Sequence, residues 1–109
     1  MRKREFHGHP DYLKITDDEL ELHSAKNRDY ARGGDPLGNF KRVADFFSTY
    51  PNLDLSNPVI VCIAYAMKQL DAALWMLSQD FEGEVENVDS RLRDVHVYMK
   101  IARILHKEK

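Results

Sequence analysis

Lys68 and Asp71 stand one helical turn apart in a segment, Pro58 to Asp80, that is apolar on nearly every side. An isolated charge taken out of water is costly unless it is paired or coordinates a metal, so both side chains need a compensating group. One solution is an internal i, i+3 ion pair. The other is a site. Asp94 poses the same question: it borders the apolar stripe of a later helical segment and shares a helical face with Tyr98 and Ile101. If the two helices pack side by side, Asp71 and Asp94 converge, and carboxylates from facing helices are how bundles assemble divalent-ion sites. Two acids suit magnesium, whose octahedron is completed by water and substrate phosphates. The alternative pairs Asp94 with Arg91 or another basic side chain.

The loop Gly33-Gly-Asp-Pro-Leu-Gly-Asn-Phe40 invites comparison with a phosphate loop, but it lacks the Gly-Lys-Ser/Thr ending and follows a helix rather than a strand. Its simplest role is structural: Asp35 caps the next helix, a glycine ends the previous one, and Phe40 fills the core. A helix N-terminus still offers backbone N–H groups to an anion, and Lys26, Arg28 and Arg32 lie close in sequence. His7, His9 and Asp11 could ligate a metal only in an unstructured arm. The chain has no Cys/His zinc spacing and no arguable Ser-His-Asp or Cys-His set. Tyr65 and Trp75 read as core or interface aromatics.

The elements that must position these residues are helices. Residues 1–15 mix basic residues, histidines, Gly8 and Pro10 without periodicity and read as a flexible N-terminal arm ahead of a single helical domain, 16–109. Thr16 to Glu19 forms a capping box, which predicts a helix to about Tyr30 with only a thin apolar stripe. Asp35-Pro36 opens a second helix, whose face is Phe40, Val43, Ala44 and Phe47 and which stops before Pro51. Asn57-Pro58 opens the central helix, which runs to about Asp80. The last helix opens between Glu86 and Ser90 and runs to about Leu105, with Val88, Leu92, Val95, Met99 and Ala102 on one stripe, widened by Tyr98, Ile101 and Leu105. No strand alternation, repeat or low-complexity tract is present, so the expected fold class is all-α, a four-helix bundle-like single domain.

The composition fits. The chain has 109 residues, 43% of them apolar and 31% charged, with a net charge of -2, which excludes a disordered tail and makes nucleic-acid binding unexpected. The longest uncharged apolar stretch ends at Lys68, short of the roughly 18 residues a span requires, so no membrane association is expected. Cys62 is the one cysteine and sits among apolar residues, which suits a reducing, cytoplasmic compartment. A core this small leaves apolar surface over, so a homo-oligomer, dimer or higher, is the default.

Tyr30, Gly34-Asp35-Pro36, Asn39-Phe40, Lys68, Asp94-Val95 and Tyr98 together resemble a group of small phage and prophage proteins with a Tyr-Gly-Asp-Pro…Asn-Phe signature. That group is distantly similar to MazG-like all-α nucleoside triphosphate pyrophosphohydrolases. The resemblance spans about residues 23 to 105. It implies an oligomeric MazG-like unit in the cytoplasm of a bacterial host, using magnesium to bring water onto the α-phosphorus of a nucleotide. By position, Lys68, Asp71 and Asp94 would be catalytic, with the metal held by Asp71 and Asp94. Lys26, Tyr30, Asp35, Asn39 and Tyr98 would contact the nucleotide. The chain departs from the enzyme pattern in three places. Asp18, Glu21 and Asp29 stand where a Glu-Glu-x-x-Glu is expected, Lys68-x-x-Asp71 replaces Glu-x-x-Asp, and Ala31-Arg32-Gly33 separates Tyr30 from Gly-Asp-Pro. The competing expectation is a non-catalytic helical interaction module, in which Lys68 and Asp71 are a structural pair and the stripe of the last helix is an interface.

Overall fold

The computed structural model describes residues 5–31, 34–83 and 85–108, the side chains of 29–31 apart. Four helices follow one another: α1 (Pro10–Ala31), α2 (Gly38–Ser48), α3 (Pro58–Gln79) and α4 (Val88–Lys107). No strand occurs among the described residues, and the fold class is all-α.

Each helix boundary has a local cause. The α1 helix begins six residues before Thr16, because His9 caps it: His9 Nδ1 accepts from the Asp11 amide at 3.1 Å, and Pro10 takes the first helical position, where no amide is needed. Residues 10–15, expected in a loose arm, are therefore helical. Thr16, expected as the cap, instead donates from Oγ1 to the Tyr12 carbonyl at 2.8 Å, inside the helix. Asp35 does organise the entry to α2, but one turn upstream: its Oδ1 accepts from the Leu37 amide at 2.9 Å and its carbonyl from the Gly38 amide at 2.9 Å. The helix proper opens only at Gly38.

Both later helices carry asparagine caps, Asn57 as expected and Asn87 within the expected opening of the last helix. Asn57 Oδ1 accepts from the Val59 amide at 3.0 Å, ahead of Pro58, and Asn87 Oδ1 accepts from the Ser90 amide at 2.8 Å. The α3 helix closes at Asp80, which turns left-handed (φ 54°) and lets the Phe81 amide reach the Met76 carbonyl at 3.0 Å.

The tightest pairing is α3 with α4. It runs antiparallel, with Cys62 against Tyr98 and Gln69 against Arg91. Small side chains allow the close approach: Cys62, Ala66, Ala72, Ala73 and Met76 of α3 and Ala102 of α4 are the buried apolar residues. The α2 helix crosses another side of α3, and α1 touches α2 and α3 more lightly. The result is open. Its radius of gyration is 17.9 Å, against about 13 Å for a compact domain of this length. Phe40, expected in the core, is 65% exposed.

Candidate functional site

Asp71 is compensated by a cation from another helix. Arg42, one turn into α2, sets its guanidinium edge-on to the carboxylate: Nε donates to Oδ1 and Nη2 to Oδ2, both at 2.8 Å. This bidentate geometry is the strongest that an arginine and a carboxylate form. The same guanidinium lies 4.8 Å from the centre of the Trp75 ring, one turn along α3 from Asp71. Gly38 makes room, since a methyl group there would come within 2.8 Å of Arg42 Nη1. Arg42 is held above the usual arginine value by its hydrogen bonds to Asp71.

Asn39 completes the arrangement. It is 4% exposed, and its amide nitrogen donates twice, to Asp71 Oδ2 at 2.8 Å and to the Lys68 carbonyl at 3.1 Å. Those two acceptors fix which end of the amide is nitrogen, because a flip would set oxygen against oxygen. Its Oδ1 then faces away from both and accepts no hydrogen bond among the described residues.

The Asn39 side chain also lines a cavity of about 290 Å³ between α1, the entry to α2, and α3. Its polar wall consists of His23, Lys26 and Asn27 from α1 and Lys68 from α3; Pro36, Leu37 and Phe40 supply the apolar part. The Asn27 amide lies 2.9 Å from His23 Nε2, which ties those two neighbours together along α1. At the mouth of the cavity α2 begins. The amides of Asn39 and Phe40 donate to no acceptor among the described residues, and the Leu37 cap has no side-chain bond. Two lysines, a histidine and a helix N-terminus facing one concavity constitute an environment for an anion.

Of the residues singled out in the sequence, Lys26, Asn39 and Lys68 come together here. The others do not. Asp35 is exposed and spent on Lys41, whose Nζ lies 2.6 Å from Oδ2; that contact first, and the Leu37 amide second, hold its carboxyl below the usual value. Tyr98 lines a separate apolar cavity of about 440 Å³ with Cys62, Tyr65 and Ile101, its ring meeting Tyr65 edge-on at 5.8 Å. The Tyr30 side chain lies outside the described residues, as does that of Asp29.

Asp71 and Asp94 are engaged on different sides of α3. Asp71 faces α2, whereas Asp94 accepts from Gln69 Nε2 at 3.4 Å. Gln69 Oε1 in turn accepts from the buried Arg91 at 2.6 Å, so Arg91 reaches Asp94 through an amide rather than directly. Arg91 also lies 3.3 Å from Glu86. The expected carboxylate pair is therefore replaced by two separate polar networks. At Asp71 three of the roughly four acceptor sites of the carboxylate are taken by Arg42 and Asn39. Among the described residues no group of three or more His, Cys, Asp or Glu is placed to hold a metal.

Arg42 was the residue missed in the sequence. The signal was present: a buried acid in α3 requires a cation, and Arg42 flanks the apolar face of the adjoining helix. No protein-family model, characterised protein or solved structure matches this chain.

Proposed function

We propose that this chain binds a phosphorylated ligand of the nucleotide class in the cavity between α1, α2 and α3. The observation that carries the reading is the gathering of Lys26, His23, Lys68 and the start of α2 around buried Asn39. The lysines and the free amides suit phosphate oxygens. Asn39 Oδ1 is buried and has no donor among the described residues. The resemblance to phage proteins distantly similar to MazG-like pyrophosphohydrolases supports the same ligand class. The Arg42–Asp71 fork is the brace: it fixes Asn39, and through Asn39 the carbonyl of Lys68.

On this reading the protein is a binding module first. Because Asp71 is committed to Arg42, no hydrolytic step is assigned to it. Isothermal titration with nucleoside mono-, di- and triphosphates, with and without magnesium, tests the proposal. A charge-assisted hydrogen bond contributes about 1.5–3 kcal/mol, so Lys26→Met and Lys68→Met should each weaken binding about tenfold or more. Absence of binding across the panel, or binding indifferent to both substitutions, would overturn it. Magnesium-dependent pyrophosphate release that is lost in Asp71→Asn would restore the hydrolase.

A further inference from the structure

The chain exposes far more surface than its mass warrants. A folded monomer of 12.7 kDa has an accessible area of about 6,200 Å² by the usual scaling. This protomer has 8656 Å². The excess, about 2,400 Å² per chain, falls in the range that obligate homodimers bury. Part of it is concentrated on one face. Along α3, Ile63, Met67, Leu70, Leu74 and Leu77 recur at alternating spacings of four and three; along α4, Val88, Leu92, Val95, Met99 and Ala102 do the same. That is the a/d repeat of a helix–helix seam.

Apart from Ala102, which is buried against α3, the chain leaves these seams half-buried or exposed. Leu74 and Leu77 are 56% and 60% exposed, Leu92 and Met99 also lie exposed, and the apolar neighbours of Leu74 are only half-buried. On α4, the residues turned furthest into α3 are Arg91 and Ala102, about one position round from the centre of the stripe. The two seams border each other on one side of the hairpin, because the other side is taken by the cavity of Val61, Tyr65, Tyr98 and Ile101. No seam position carries a charge.

We infer that this face pairs with the same face of a second copy of the chain, so that two α3–α4 hairpins complete a bundle that neither closes alone. A C2 interface needs one self-complementary patch, and a continuous uncharged double seam supplies it. Lipid is the competing occupant, since α3 has a stretch of mean hydropathy 1.4 and is long enough to cross a membrane. But the remaining sides of α3 carry Lys68, Gln69 and the Asp71–Arg42 pair, bonded to polar α2 and α4, which places charge at the depth where hydrocarbon would lie.

Sedimentation velocity of the full chain over about 1–100 µM, with chemical unfolding at both ends of that range, tests the inference. We expect twice the chain mass and an unfolding midpoint that rises with concentration. Leu74→Glu and Met99→Glu should each weaken the dimer at least tenfold, while Ile104→Glu, on the exposed opposite side of α4, should leave it intact. If the seam variants do not fold, the concentration dependence of the wild-type midpoint still decides. A monomer throughout, a dimer broken by Ile104→Glu but not by the seam changes, or partition of the wild type into phosphatidylcholine vesicles would each overturn it.

Discussion

Replacing Arg42 by alanine removes both arms of a fork and leaves Asp71 with Asn39 as its partner among the described residues. The Asp71 side chain is 15% exposed, so its charge stays largely out of water; the Arg42 side chain is 39% exposed, so solvent already screens part of the attraction. For a fully buried pair, breaking one partner costs about 3–5 kcal/mol. Discounting for the exposed guanidinium gives about 2–3 kcal/mol, including about 0.5–1 kcal/mol for the contact with Trp75. At about 4–8 °C per kcal/mol, the melting temperature should fall by roughly 8–24 °C. The decisive quantity is the coupling between Arg42→Ala and Asp71→Asn in a double-mutant cycle, measured by urea unfolding at one protein concentration with unchanged m-values. The expected coupling is about 1–2 kcal/mol. Coupling below about 0.3 kcal/mol would mean that Arg42 does not compensate Asp71, and the carboxylate would again be open to a metal.

Other outcomes follow from single contacts. Asp35 has a lowered folded-state pKa, so its stabilisation is present above the unfolded value and is lost as the pH falls through the folded one; a carbon-detected NMR titration should place its midpoint below 3.8 and Lys41→Ala should raise it, whereas a midpoint at or above 3.8 in the parent chain contradicts the pairing. Gly38→Ala would ordinarily gain about 0.5–1 kcal/mol of helix propensity, but here it should gain nothing, or lose, until Arg42 is also truncated. A gain in the parent chain would show that Arg42 does not need the space. Asp80→Gly relieves a left-handed residue at the end of α3 and should stabilise the chain by about 0.5–1 kcal/mol in thermal unfolding; a loss would mean that the Asp80 side chain makes a contact of its own.

The helices were legible in the sequence because their caps were. Asn57-Pro58 supplies a side-chain acceptor before an apolar periodicity and caps α3 as expected, and Asn87 plays the same part for α4 within the stretch where that helix was expected to open. The start of α1 was misplaced because two caps competed: Thr16-x-x-Glu19 is a proper capping box, but His9-Pro10 lies upstream of it, and a helix once started runs through a later cap signal. The apolar stripe of α4 is legible in the sequence, but periodicity specifies a face and not what covers it. At the site, the sequence flagged Lys68 and Asp71 through the cost of burying charge. The need for a cation at Asp71 was legible, but choosing Arg42 among the basic residues required the helix crossing that brings it in from 29 residues away. Grouping Lys26, Asn39 and Lys68 was possible from the loop and the resemblance; separating Tyr98 and Asp94 from them required the rotation of α4 about α3.

The central claim is that an anion is received where α2 begins, between Lys26 and Lys68. Amide chemical shifts of isotope-labelled protein, followed during titration with a nucleoside triphosphate and in parallel with inorganic phosphate, test it most directly. Saturable shifts centred on the amides of Asn39 and Phe40 are expected, present without magnesium and needing about tenfold more ligand or beyond in Lys68→Met. Shifts confined to Tyr65, Tyr98 and Asp94, or arising at Asp71 and Asp94 only when magnesium is added, would contradict it.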